Sequence, residues 1–246
     1  MRWVRLVWSE ILDALYPPRC AACALVGCDG WCEQCADSTP YITPPVCARC
    51  GTPMCAEGFC VSCSVHPLVP EAVRAVTRYD GVVRTAIHRF KYGKHPSLAP
   101  ALARLLLEGW QTPLTERLHT ADVVIPVPIH RERERERGFN QSALLAELFC
   151  QKAGLPMLHD VLERTVYRQP QVGLDAVQRQ QNVQNAFQVR QPAALTGRSI
   201  LLIDDVWTTG STLNEAARTL LAAGAARVFA YTVAHERLEG TDPTMR

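Results

Sequence analysis

The segment Ile200-Leu-Leu-Ile-Asp204-Asp205-Val-Trp-Thr208-Thr209-Gly210-Ser211-Thr212 holds the densest chemistry in the chain. An aliphatic run that reads as a buried strand leads into two carboxylates. A loop of small hydroxyl residues around one glycine follows, and a helix begins near Thr212. The start of a helix offers free N–H groups and the positive end of its dipole, and both favour a phosphate. Gly210 lets the backbone approach closely, while Thr208, Thr209, Ser211 and Thr212 add hydroxyl donors. Two adjacent acids would repel a polyphosphate, so they should face ribose hydroxyls, with Mg2+ nearby. The loop lacks the Gly-Lys-Ser/Thr ending of a nucleotide P-loop and lacks G-x-G-x-x-G, which disfavours ATP and NAD. The plainer alternative is that Asp204 and Asp205 only cap the next turn, but a cap needs one acid, not two acids and four hydroxyls.

The second chemical signal is cysteine. Ten of the eleven lie between Cys20 and Cys63. They form four C-x-x-C units: Cys20/Cys23, Cys32/Cys35, Cys47/Cys50 and Cys60/Cys63. Two intervening residues let both thiolates of a knuckle face one ion, and two knuckles complete a tetrahedral site. The spacing predicts one or two structural Zn2+ ions. With four thiolates filling each shell, no position is left for a catalytic water, so the metal's work is to fold a segment that has no ordinary core. Cys28 and Cys55 could replace a knuckle thiol or simply pack. His66 reads as a surface residue and Cys150 as core, beside Leu145 and Phe149.

These groups need a frame to position them. Residues 17–68 hold the knuckles and a small ribbon module. Beyond about residue 71 the text changes to apolar runs alternating with helical patterns. Val73–Thr77, Val123–Val127, Ile200–Ile203 and Val228–Val233 read as strands, and Leu98–Trp110, Ser142–Ala153 and Thr212–Ala223 as helices. That alternation predicts an α/β fold with a mostly parallel sheet over residues 71–240. In such sheets ligands sit beyond the C-terminal ends of the strands. The polar stretch from Leu162 to Gln191 should be a long excursion over the sheet edge, and residues 241–246 a polar tail. The run Arg131-Glu-Arg-Glu-Arg-Glu-Arg137 reads as a helix with opposite charges three apart, such as Arg131 with Glu134. Its interleaved acids weaken any DNA-binding stripe, and Arg137 is its member best placed for the site.

Composition limits the rest. The chain has 246 residues, 48% hydrophobic and 20% charged, with 26 basic and 24 acidic side chains, which excludes a disordered polymer. Residues 1–70 carry four basic and six acidic side chains, and residues 71–246 carry 22 and 18. If nucleic acid binds, the second region is therefore the better face, and binding should weaken with salt. No run is apolar and long enough to span a membrane. Residues 1–16 read as an amphipathic helix rather than a signal peptide, because Glu10 and Asp13 interrupt the apolar stretch. Clustered C-x-x-C units and no leader predict a cytoplasmic location.

The 200–212 loop resembles the phosphoribosyl-pyrophosphate (PRPP) motif of type I phosphoribosyltransferases, with Trp207 where a small aliphatic is usual. Leu15-Tyr-Pro-Pro-Arg-Cys20, Phe90-Lys-Tyr-Gly93, Ile125-Pro-Val-Pro-Ile-His130, Arg137-Gly-Phe-Asn-Gln141, Gln171-Val-Gly-Leu174 and Asn182-Val-x-x-Ala-Phe187 are similar to the ComF family of ComFC type. The resemblance covers essentially the whole chain. It implies a double zinc ribbon joined to a phosphoribosyltransferase-like domain and a link to DNA uptake in natural competence. It further implies that Asp204 and Asp205 are catalytic and hold the ribose, that Thr208 to Thr212 hold the 5′-phosphate, and that Mg2+ accompanies PRPP. The excursion resembles the loop that closes over PRPP. Arg131, Arg137, Arg168 and Arg179 could then reach the pyrophosphate, as could Lys91 and Tyr92, or each could lie on a plain surface. Two functions follow: a glycosyltransferase acting on an unknown acceptor, or a non-catalytic adaptor or PRPP sensor whose partner is a ComFA-type helicase, another DNA-uptake protein or single-stranded DNA.

Overall fold

Apolar side chains fill both faces of the strand runs, the pattern of a parallel sheet covered on each side. The computed structural model describes residues 17–167 and 184–236. Helices α1 (Glu33–Asp37) and α2 (Val61–Val65) lie in the cysteine-rich segment. Then come β1 (Ala72–Arg78), α3 (Gly81–Tyr92), α4 (Ala99–Trp110), β2 (Val123–Pro126), α5 (Arg131–Arg137) and α6 (Gln141–Ala153). They are followed by β3 (Leu162–Arg164), β4 (Phe187–Val189), β5 (Ser199–Trp207), α7 (Ser211–Ala222) and β6 (Arg227–His235).

Four strands form one parallel sheet in the order β1-β6-β5-β2. Its side chains alternate between two cores, as a period of two requires. Leu201, Ile203, Phe229, Tyr231 and Val233 meet Leu102 and Leu106 of α4 and Leu145 and Phe149 of α6. Ile200, Leu202, Val228 and Ala230 meet Leu213, Ala216 and Leu220 of α7. Phe149 is fully buried, so truncating it to Ala should cost about 3–5 kcal/mol.

The cysteine-rich segment wraps around the β1 edge of the sheet. Its first half packs on the α4 side: Trp31 Nε1 donates to the Ala101 carbonyl at 3.0 Å, and Arg89 of α3 donates to the carbonyls of Cys20, Ala21 and Ala22. Residues 40–42 then run antiparallel along β1, with Ile42 N–H on the Val76 carbonyl and Arg78 N–H on that of Pro40, each at 2.9 Å. This covers an edge that would otherwise expose unpaired backbone. The second half packs on the α7 side, with Cys47, Cys50, Cys63 and Leu68 in that core.

The four strands and three helices expected from the sequence are present, their ends shifted by a few residues. The β5 strand runs on through the acid pair to Trp207. Two helices, α3 and α5, flank the site, and α5 is the Arg-Glu run. Its expected Arg131–Glu134 pairing is replaced: Arg131 reaches Glu163 of β3 at 3.1 Å. The two ends of the Leu162–Gln191 stretch are not loose but pair as β3 and β4, Leu162 against Val189 and Arg164 against Phe187. Leu162 and Phe187 are both buried in the α7-side core, which gives the short pair its anchor. The expected helix over residues 1–16, Arg168, Arg179, the Gln171–Leu174 motif and the tail lie outside the described residues. No helix among those described is long and apolar enough to cross a membrane.

Candidate functional site

The acid pair lies in the C-terminal half of β5, one of the two inner strands of the sheet, two residues before its end at Trp207. Asp204 and Asp205 are both buried, yet each carboxylate is organised. Asp204 Oδ1 accepts from Ser142 Oγ at 2.7 Å and from the Asp205 N–H at 2.9 Å. Asp205 Oδ1 accepts from the Val206 N–H at 2.8 Å, and its buried Oδ2 lies 2.6 Å from Lys91 Nζ. Ser142 is placed by the start of α6, where the Asn140 side chain accepts the Ser142 and Ala143 N–H groups and caps the helix. Lys91 comes from the last turn of α3.

Cations converge on these acids. Burial holds the Asp204 carboxyl above the usual carboxylate range, against the opposing pulls of the Ser142 hydroxyl and of Lys91, Arg164 and Arg137. Burial also pulls the Lys91 amine down to about 8, against the attraction of Asp204. Arg137 is buried, bonded to Gln141 Oε1 and lying over the Tyr92 ring at 5.9 Å. Burial and the neighbouring Arg133 lower its affinity for its proton and that of Arg164. Two acids with Lys91 in contact and Arg137 and Arg164 near enough to act on Asp204 electrostatically can hold sugar hydroxyls beside a polyanion.

The hydroxyl loop follows directly. Gly210 has φ +78°, a left-handed turn that a side chain would strain, and it starts α7. Thr209 Oγ1 and Ser211 Oγ are 2.8 Å apart. Thr208, Thr209, Ser211 and Thr212 are all partly exposed, and the first-turn N–H groups of α7 have no intrahelical partner. Trp207 is buried and stacks flat on His235, ring centroids 3.8 Å apart, at the adjoining strand end. On the other flank, Val127 N–H pairs with the Ile203 carbonyl, which holds the proline-rich loop after β2 beside the acids.

The cysteines form two tetrads, Cys20/Cys23/Cys32/Cys35 and Cys47/Cys50/Cys60/Cys63, with all sulfurs of a tetrad within 4.8 Å of one another. Cys23 and Cys32 sulfurs are 3.7 Å apart, and those of Cys50 and Cys60 3.6 Å. A tetrahedron with Zn–S arms of ~2.3 Å has edges of roughly 3.8 Å, so both tetrads fit zinc. The Cys60 N–H points at Cys47 Sγ and the Cys63 N–H at Cys60 Sγ, the donors a knuckle supplies to its thiolates. A hydrogen bond from the Cys50 thiol pulls Cys47 down to about 4 while Cys50 is itself pushed up, and burial drives Cys63 up to about 12. Four crowded thiols cannot all ionise alone, and a divalent ion resolves that conflict. Cys28 and Cys55 stand outside both tetrads, Cys150 is buried and His66 is exposed.

Of the arginines expected near a pyrophosphate, Arg137 lies in the acid pocket. Arg131 is well exposed and engaged with Glu163. Lys91 belongs to the site's centre, and Tyr92 lies at its rim under Arg137. Ser142 and Arg164 were not foreseen. Ser142 sits two residues after a helix-capping Asn140, a visible signal; Arg164 is brought in only by the β3–β4 pairing.

Residues 11–64 match the double zinc ribbon domain family, and residues 148–244 match the phosphoribosyl transferase domain family. The chain is 33% identical over 217 residues to the DNA utilization protein YhgH of Shigella flexneri, covering 86% of this chain and 94% of that one. It is 30% identical over 210 residues to Competence protein F of Haemophilus influenzae, covering 84% and 89%. It is 29% identical over 209 residues to Competence protein ComFC of Bacillus subtilis, covering 82% of each.

Proposed function

Because this chain belongs to the ComF family, which joins a double zinc ribbon to a phosphoribosyltransferase domain, we propose that it binds PRPP and transfers the 5-phosphoribosyl group to an acceptor in DNA use or uptake. The observation that carries this reading is the placement of Asp204 and Asp205 near the C-terminal end of β5, in contact with Lys91, within the electrostatic reach of Arg137 and Arg164, and three residues before the hydroxyl loop that opens α7.

In this reading Asp204 and Asp205 accept hydrogen bonds from the ribose 2′ and 3′ hydroxyls. Ser142 and Lys91 hold the two carboxylates in place, so little reorganisation is needed on binding. The Thr208–Thr212 loop takes the 5′-phosphate through backbone N–H groups and hydroxyls. Arg137, with Arg168 and Arg179, is proposed for the pyrophosphate, whose negative charge grows as its bond to the sugar breaks, and Arg131 would join them only by leaving Glu163. The carboxylate oxygens suit Mg2+, which would neutralise the leaving pyrophosphate when bound. The cysteine tetrads are assigned two structural zinc ions.

Calorimetric titration of the zinc-loaded protein with PRPP, with and without Mg2+, tests the site. Mg2+-dependent binding that disappears when Asp204 and Asp205 are both replaced by Ala is expected. Binding that survives the double replacement overturns the assignment.

A second reading is favoured by the exposure of Phe59, Val61 and Val65 on the second ribbon, at 57%, 78% and 64%. There the ribbon docks a helicase partner or single-stranded DNA, and the PRPP pocket serves as a sensor. Turnover separates the two: release of pyrophosphate with candidate acceptors supports transfer, and tight binding without release supports the sensor.

A further inference from the structure

The second cysteine tetrad is joined to the hydroxyl loop by an unbroken set of short contacts. Arg49 lies inside the Cys47–Cys50 knuckle. Its guanidinium donates to the Leu68 carbonyl at 2.7 Å and to the Pro70 carbonyl at 3.5 Å, holding the chain between the ribbon and β1. The knuckle backbone is held in turn: the Arg49 carbonyl accepts the Val73 N–H at 2.7 Å, and Arg74 donates to the Ala48 and Arg49 carbonyls. Gly51, at φ +71°, permits this approach, since a Cβ there would come within 2.9 Å of the Val73 carbonyl oxygen.

The held segment ends on the loop. Leu68 is buried, and its Cδ2 lies 2.9 Å from where a Cβ on Gly210 would stand, so it fills the space beneath the loop's turning point. The next residue, Val69, donates its N–H to Asn214 Oδ1 at 2.8 Å, and Asn214 donates its own N–H to the Gly210 carbonyl at 2.8 Å. Gly210 is thereby clamped between Leu68 on one side and the first turn of α7 on the other. The first tetrad makes its contacts with α3 and α4, on the opposite face of the sheet.

We propose that the second zinc ribbon sets the shape of the phosphate loop, with Arg49 and Leu68 as positioning residues that carry the constraint from the metal-bound knuckle to Gly210. The proposal rests on the reading of residues 208–212 as a phosphate site. Metal fixes the knuckle, because the four sulfurs of the tetrad, all within 4.8 Å of one another, are held together by the ion they would share. The folded knuckle fixes Arg49, Arg49 fixes the 68–70 backbone, and Leu68 with Val69 fixes the loop. A loop held in its binding shape before the ligand arrives loses less entropy on binding.

The test uses the full zinc-loaded chain with Leu68→Ala, Arg49→Ala, Arg49→Lys, Cys50→Ser and, as a control on the first ribbon, Arg89→Ala. Zinc content, hydrogen exchange of the 208–214 amides without ligand, and PRPP affinity are read for each. Leu68→Ala should keep its zinc, exchange faster at Gly210–Asn214 and bind PRPP roughly tenfold more weakly. Arg49→Ala should behave likewise, with Arg49→Lys restoring part of the protection, and Arg89→Ala should leave the loop amides unchanged. Cys50→Ser should lose one zinc and the same protection. A zinc-replete Leu68→Ala with wild-type loop exchange overturns the proposal. If the wild-type chain takes no PRPP while the variants show these exchange changes, the coupling is upheld and the phosphate reading sinks instead.

Discussion

Lys91 Nζ lies 2.6 Å from Asp205 Oδ2, so the last turn of α3 and the end of β5 are pinned together at the acid pair. Burial outweighs attraction there, and the amine comes down to about 8 from an ordinary 10.5. Between those two values the unfolded chain holds a proton that the folded chain has released, so stability rises with pH across that window. The gain is absent below pH 8 and complete above 10.5. Urea unfolding of wild type and Lys91→Met from pH 7.5 to 10.5 should show the wild type gaining stability relative to the variant, whatever the variant's cost at neutral pH. Parallel curves would mean that Lys91 titrates normally.

Asp204 carries the opposite sign. Its carboxyl is raised by burial, so the stability of its protonated form is present at low pH and lost as pH rises through the raised value. At neutral pH the charge is therefore a cost. Asp204→Asn keeps an oxygen to accept from Ser142 and the Asp205 N–H while removing the charge. The variant should melt a few degrees higher, about 2–4 °C for each kcal/mol gained, and should lose PRPP binding. A lower melting temperature by calorimetry would show that the surrounding cations depend on this charge.

Glu215 of α7 is buried and takes the Asn185 N–H at 2.7 Å and the Arg218 guanidinium at 2.7 Å. Asn185, at φ +56°, opens the segment that leads into β4. Glu215→Ala would leave that N–H without its acceptor, a loss of about 1–3 kcal/mol. Thermal unfolding should register it, and Glu215→Gln should recover most of it. Equal melting temperatures for Ala and wild type would show that Asn185 finds another acceptor.

Much of this architecture is legible in the amino-acid sequence. The cysteine spacing named both tetrads correctly, because a C-x-x-C knuckle is local and its chemistry depends on four residues. The β5 strand, the acid pair and the loop into α7 were legible for the same reason: strand, turn and helix follow one another in thirteen residues. What escaped was assembled over distance. Lys91 is among the residues the sequence offers, though as a pyrophosphate contact and not as the partner of Asp205; Ser142 of α6 and Arg164 of the separate β3–β4 pair reach the acids only through tertiary packing. The Arg131–Glu163 pair shows the same limit, since helical spacing favoured Glu134 and the β3–β4 pairing supplied a nearer acid. The placement of the two ribbons on opposite faces was likewise invisible, because it depends on residues 40–42 running along the edge of β1.

That placement makes the first ribbon separable from the second. Arg89 of α3 donates to the carbonyls of Cys20, Ala21 and Ala22 at 2.9, 2.6 and 3.3 Å, so one guanidinium holds the first knuckle against the sheet. Its removal leaves those carbonyls to find water, a cost of about 1–3 kcal/mol carried by the first tetrad. Cys47, Cys50, Cys60 and Cys63, packed on the far face, should be untouched. Zinc transfer from the wild type to a chelating dye should proceed as two ions per chain. In Arg89→Ala one of the two should leave at least several-fold faster while the other keeps its wild-type rate. Acceleration of both would show that the two ribbons unfold as one unit, despite the sheet between them.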